Sequence, residues 1–227
     1  MTDDPGRVFG YECLVRGLTP AGALVFPREL FAAARGADLL PPLDRQARLT
    51  AISTAARYAG WNHLFLNFHS SSLHHPGYCL RPTVEAVAEA GLDPGRVVFE
   101  VVEDEEVRDP EHLLEALDVY RRAGFRVALD DVGAGYNSLN LLARLRPDFV
   151  KLDMGLVRGV DRDPYKARVA GKLLELTREL GVRTVAEGVE TIAEWEWVRK
   201  AGADYAQGYL FARPASPPPV PVVPTAA

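Results

Sequence analysis

Cysteine is scarce in this chain: Cys13 and Cys79 are the two among 227 residues. They make no disulfide framework and lack the spacing of a zinc site, which suits a reducing compartment. No apolar run reaches the length of a membrane-spanning helix, and no signal peptide is visible. The expected location is therefore the cytoplasm, with no membrane partner. Basic residues are outnumbered, 26 Lys and Arg against 31 Asp and Glu, for a net charge of −5. That balance disfavours nucleic-acid polymers and anionic membranes as partners. A phosphate-bearing ligand would need metal ions or a local basic group. The nucleotide-loop signatures are absent as well. The glycine turn GAGYNS lacks both the third glycine of the dinucleotide fingerprint and the GK[ST] of the P-loop. No short-period repeat marks a solenoid.

What is present is an ordinary globular composition, 48% hydrophobic and 25% charged, in a chain long enough for one well-buried domain. Strand patterns at 8–16, 63–69, 97–102, 126–132, 148–154, 183–189 and 204–211 alternate with helical patterns. The helices are expected at 27–36, 43–60, 81–90, 110–124, 137–145, 163–181 and 191–202. Prolines open several of these helices and glycines close them. Residues 1–213 read as one domain, and the proline-rich 214–227 as a tail that packs neither as a helix nor as an inner strand. Regular strand–helix alternation predicts an α/β fold with a parallel sheet. A doubly wound sheet and a (β/α)8 TIM-type barrel both fit. The barrel is favoured because a polar residue recurs late in nearly every strand, where barrel enzymes build their sites. Seven strands are counted, one short of the usual barrel, so the barrel is expected to be incomplete at its N-terminal end.

The central stretch is FRVALDDVGAGYNSL, where a barrel-type strand ends in Asp130 and Asp131. On a regular strand the two point to opposite faces, and only a curled strand end brings both to one point. A helix-capping aspartate is the plain alternative. The other strand ends offer Glu12, Asn67, Glu100, Lys151, Glu187 and Gln207. Five carboxylates aimed at one rim exceed what one lysine can neutralise. Oxygen donors without Cys or His point to two Mg²⁺ or Mn²⁺ ions, the arrangement that serves phosphoester hydrolysis. Lys151 would orient water or meet phosphate charge. Taken singly, Glu12, Asn67 and Gln207 could equally be hydrogen-bonded interior residues, and Lys151 could sit in a metal-free salt bridge with Asp130 or Glu187. The adjacent His74 and His75 lack the spacing of helical metal ligands and read as surface histidines.

These residues resemble the EAL-domain family of cyclic di-GMP phosphodiesterases. GYECLVR is similar to the family's GYEALLR, LNFHSSSL to its N-x-S segment, FEVVE to ELTE and DDVGAGYNSL to DDFGTGYSSL. FVKLD, VAEGVE and YAQGYLFARP follow in order, matching VKID, AEGVE and the QGY-x-x-x-x-P ending. The resemblance implies a bacterial (β/α)8 enzyme of second-messenger signalling that hydrolyses cyclic di-GMP to linear pGpG with Mg²⁺ or Mn²⁺. It implies Glu12, Asn67, Glu100 and Asp130 on a first metal, with Asp130 bridging and Asp131 on a second. Lys151, Glu187 and Gln207 would hold the attacking water, and Arg16 would contact a substrate phosphate. Glu103 would brace the glycine loop, and Glu190 would support the site from behind. A homodimer near the glycine loop is also implied. The departures are Cys13 for Ala, Val102 for Thr, Val132 for Phe and Ala134 for Thr, together with the family's QPI-like first strand, which would precede residue 1. They motivate a second reading, a receptor that binds cyclic di-GMP or a protein partner without turnover.

Overall fold

A computed structural model describes residues 8–58, 61–69, 76–102, 110–135 and 138–221. Glu103, His74, His75, Tyr136 and Asn137 lie outside the described residues. The chain divides into two compact units, Gly10–Arg126 and Val127–Ala227, the latter including the residues up to Phe9.

In the first unit the strands β1 (Gly10–Cys13), β4 (His63–Phe68) and β5 (Val97–Val102) lie side by side and parallel, in the order β1-β4-β5. Leu64, Phe65, Leu66, Phe68, Val97, Val98, Phe99 and Val101 are all buried. Near-continuous apolar runs of this kind belong to parallel strands covered on both faces. Phe99 stacks on Tyr120 at 3.9 Å between ring centroids, with Phe68 and Phe125 edge-on or tilted around the pair. Tyr120 comes from α4 (Pro110–Arg122). The segment expected as loop after β1 instead folds into a small antiparallel hairpin, β2 (Gly17–Leu18) with β3 (Leu24–Val25). Its turn closes through Thr19 and Gly22, whose φ of +81° a glycine adopts without strain.

Helix α1 (Pro27–Gly36) has the expected bounds, whereas α2 (Leu40–Ala55) starts three residues before the expected Leu43. Its first turn holds Pro41 and Pro42, where a missing N–H costs nothing, so the prolines open the helix and do not exclude it. Helix α3 (Pro76–Glu89) likewise begins at a proline, earlier than expected, and tolerates Pro82 inside.

The second unit carries β6 (Arg126–Val132, whose first residue falls in the other unit), β7 (Phe149–Leu152), β8 (Arg183–Ala186) and β9 (Tyr205–Ala206), parallel and in sequence order. Helices α5 (Ser138–Leu145), α6 (Met154–Val157), α7 (Pro164–Glu179) and α8 (Ile192–Ala201) alternate with them. Asp163 caps α7 by accepting from the amides of Tyr165 and Lys166, and Pro164 occupies the first turn. The strand expected over 148–154 is shorter, because Asp153 turns its carboxylate back to the Gly155 amide and starts α6. At the N-terminal ends of these strands, Phe9 stacks on Tyr205 at 3.7 Å. The Arg183 guanidinium lies over Phe149 at 4.6 Å and donates to the Tyr205 hydroxyl. Seven parallel strands are thus present among the described residues, the number counted in the sequence.

Candidate active site

In the second unit the site begins at the end of β6. Its register with β7 shifts between Leu129 and Val132, and Asp131 has φ +54°. A regular strand would send Asp130 and Asp131 to opposite faces. The local break removes that constraint, and aspartate is among the few side chains that tolerate the left-handed region. One carboxylate oxygen each from Asp130, Asp131 and Glu187 then lies within 4.8 Å of the others. The Asp131 amide donates to Asp130 Oδ1 at 2.9 Å, which steadies the pair.

Lys151 sits in β7 and is 2% exposed. Its Nζ lies 3.1 Å from Asp130 Oδ1 and 2.8 Å from Glu187 Oε1. Glu187 comes just past the end of β8, beyond the strand that was expected to carry it, and its amide donates to Leu152 O at 3.1 Å. Gln207 similarly follows the two-residue β9, with its amide on Ala186 O and its carbonyl accepting from Val189. Close packing of these loops requires two glycines. A Cβ on Gly188, at φ +68°, would meet Met154 Cβ at 2.4 Å, and one on Gly208 would meet Val189 O at 2.0 Å.

Three carboxylates and one ammonium leave a formal charge of −2 in a half-buried cluster. Lys151 matches two of the acids geometrically but cannot balance all three. The donors are all hard oxygens, which fits Mg²⁺ or Mn²⁺ and not a thiolate-preferring ion.

In the first unit, β1 delivers Glu12, β4 delivers Asn67 and β5 delivers Glu100. Asn67 pairs in register with Glu100, and its Nδ2 donates a long 3.4 Å hydrogen bond to Glu12 Oε1. Glu100 is fully buried. Burial, then the nearby Glu100 and Glu12 carboxylates, push the Cys13 thiol up to about 12, so it stays protonated at neutral pH. Arg16 donates to Val15 O at 2.7 Å and places its guanidinium over the Phe26 ring at 5.3 Å. Glu190 is exposed and ion-paired with Arg158 at 2.5 Å.

Two groups were not legible as important in the sequence. Asp44 and Arg48, one helical turn apart on α2, form a buried ion pair, with Thr83 accepting from Arg48 and the His69 backbone donating to Asp44. Their i,i+4 spacing was the available signal. Glu194 is 6% exposed and accepts from three backbone amides.

Residues 1–214 match the EAL domain. The chain belongs to the EAL family. The probable cyclic di-GMP phosphodiesterase PdeG of Escherichia coli is 30% identical over 218 residues, 93% of this chain and 42% of PdeG. The standalone EAL protein of Vibrio cholerae O395, solved with c-di-GMP bound, is 32% identical, with a TM-score of 0.78 over 91% of this chain and 85% of that one. The Klebsiella pneumoniae BlrP1 manganese/cy-diGMP complex is 34% identical, with a TM-score of 0.81 over 91% of this chain and 52% of BlrP1. This EAL domain thus spans under half the length of the first curated relatives it matches. Its fold is α/β with a parallel sheet of the TIM-barrel type that these relatives share. Among the described residues, no helix is long and apolar enough to cross a membrane.

Proposed function

We propose that this EAL domain hydrolyses cyclic di-GMP to linear pGpG with the help of two divalent cations, Mg²⁺ or Mn²⁺. The observation that carries the reading is the Asp130–Asp131–Glu187 cluster with Lys151 buried against it. Relatives solved with c-di-GMP, one of them with manganese, support the substrate and cofactor. Asp130, Asp131 and Glu187 would hold metal, and by family resemblance Glu12, Asn67 and Glu100 are further ligands. Bound divalent cations supply Lewis-acid activation of water and neutralise charge on the phosphate.

The protein's own part is positioning. Lys151, held by two carboxylates, places its ammonium charge at the cluster, where it would orient an incoming water or meet phosphate charge. Gln207, whose backbone is anchored through both its amide and its carbonyl, would by the family resemblance share in holding that water. The family resemblance implies that Arg16, whose guanidinium planarity suits phosphate, would contact the ligand's phosphate, and it assigns supporting roles to Glu103 and Glu190. The reading includes a cytoplasmic location and a homodimer, which sedimentation checks directly.

The test is incubation with cyclic di-GMP and Mn²⁺ or Mg²⁺, with products separated by chromatography. Wild type should yield pGpG. Asp130→Asn should yield none while its thermal midpoint stays near that of wild type. Tight binding with no pGpG from folded protein would make the domain a receptor and defeat the enzymatic reading.

A further inference from the structure

The loop that carries Glu187 leaves β8 and reaches α8 over five residues, 187–191. Two of its amides are held by neighbouring strand-end carbonyls, Glu187 on Leu152 and Val189 on Gln207. The other end is held by one side chain. Glu194 Oε2 accepts from the amides of Glu190 at 2.9 Å and Thr191 at 3.0 Å. Its second oxygen, Oε1, accepts from the Gly159 amide at 2.8 Å, 35 residues away in sequence. Gly159 lies two residues past α6, in the connection from β7, the strand that carries Lys151, to α7.

Part of this arrangement is ordinary. Thr191 and Glu194 form a capping box, in which the Thr191 hydroxyl accepts from the Glu194 amide. A capping box needs one oxygen of the N3 side chain. The Gly159 contact lies outside it and uses the other oxygen. Gly188, with no room for a Cβ above Met154, presses the same two segments together. The Arg158–Glu190 pair also spans them, but it is exposed and contributes little.

We infer that Glu194 is a positioning residue: its two carboxylate oxygens tie the segment that follows α6 to the loop bearing Glu187 and so, together with the β7–β8 pairing, help hold Glu187 against Lys151. The inference rests on the metal-dependent reading above, because Glu187 matters there as part of the cluster. Lys151 and Glu187 meet at 2.8 Å, a contact that a small shift of either segment would lengthen. Residues that orient a metal-binding side chain without touching the ion commonly govern affinity or activity by about 10- to 100-fold.

Two substitutions separate the clamp from the cap. Glu194→Gln keeps one acceptor oxygen, enough for the capping box, but its amide group cannot accept from Gly159. Thr191→Ala removes the capping hydroxyl and leaves both carboxylate bonds. Mn²⁺ affinity is measured by calorimetric titration of the metal-free protein, and kcat and KM are measured with cyclic di-GMP. Glu194→Gln should weaken Mn²⁺ binding by roughly 10-fold and lower kcat by a similar factor, with KM unchanged. Thr191→Ala should lower the thermal midpoint and leave Mn²⁺ affinity and kcat within about twofold. If Glu194→Gln fails to fold, Glu194→Asp makes the same comparison, because its shorter stem reaches the cap but not Gly159. Unchanged Mn²⁺ affinity in the folded variant, or equal losses in Glu194→Gln and Thr191→Ala, would overturn the inference. The metal titration decides it even if wild type proves to have no turnover, in which case only the hydrolytic reading fails.

Discussion

Replacing Lys151 by methionine keeps the stem's volume and removes its charge. In the metal-free protein this leaves Asp130, Asp131 and Glu187 within 4.8 Å of one another with no ammonium between them, and the formal charge falls from −2 to −3. Removing one partner of a buried ion pair costs about 3–5 kcal/mol, because the remaining charges stay desolvated. Lys151 is 2% exposed and meets two carboxylates, so the loss should fall within that range. A domain of this size shifts its midpoint by roughly 2–4 °C per kcal/mol, which predicts a drop on the order of 6–20 °C. A bound divalent ion replaces the missing positive charge and stabilises by about 2.7 kcal/mol at a hundredfold excess over its dissociation constant. Added Mn²⁺ should therefore raise the midpoint of Lys151→Met more than that of wild type, while pGpG formation stays lost. Differential scanning calorimetry with and without Mn²⁺ measures both effects. A metal-free midpoint within 1–2 °C of wild type, roughly half a kcal/mol by the same conversion, would show that the acids do not depend on Lys151. The charge argument for the cluster would then be wrong.

Two further outcomes follow from other buried charges. Asp44→Ala alone should destabilise by about 3–5 kcal/mol in urea titration, by stranding Arg48, whereas the double replacement Asp44→Leu with Arg48→Met should recover most of that loss. A double variant no more stable than the single one would refute the stranded-charge account. The second concerns acid. Burial pushes the Glu194 carboxyl up, but the amides of Gly159, Glu190 and Thr191 outweigh it and hold the group below its ordinary value of 4.5. A depressed carboxyl contributes stability above its unfolded pKa and loses that stability as pH falls through the folded value. Urea midpoints compared at pH 6 and pH 3 should therefore fall less for Glu194→Gln than for wild type. Equal falls would show that Glu194 is not held low.

The parts of the fold set by periodicity were legible in the sequence. The runs VVFEVV and RVALDDV gave β5 and β6 their observed bounds, because parallel strands buried on both faces leave little room for other readings. The hairpin over Gly17–Val25 was not legible, since strands of two residues carry no period. The strand ends at Glu187 and Gln207 were read as too long. Their apolar pattern continues into loops whose amides are satisfied by neighbouring strand-end carbonyls, and composition does not record that change of partner. At the site, residue types alone suggested that Asp130, Asp131, Lys151 and Glu187 converge. How two adjacent aspartates could share a face depended on a register break that no residue pattern announced. Glu194 was hidden because its capping-box role is local, whereas its bond to Gly159 is not. Val132, which replaces the family's phenylalanine, is 2% exposed, so that departure lies in the core of the strand.

The backbone at Asp131 limits how the acid there can be interrogated. At φ +54° a β-branched side chain is strained, and alanine is disfavoured too, so such variants would relax the β6 end and move Asp130 with it. Loss of function in them would report a displaced chain as readily as a missing charge. Asparagine tolerates the same conformation and nearly the same volume, which makes Asp131→Asn the substitution that separates electrostatics from shape at this position.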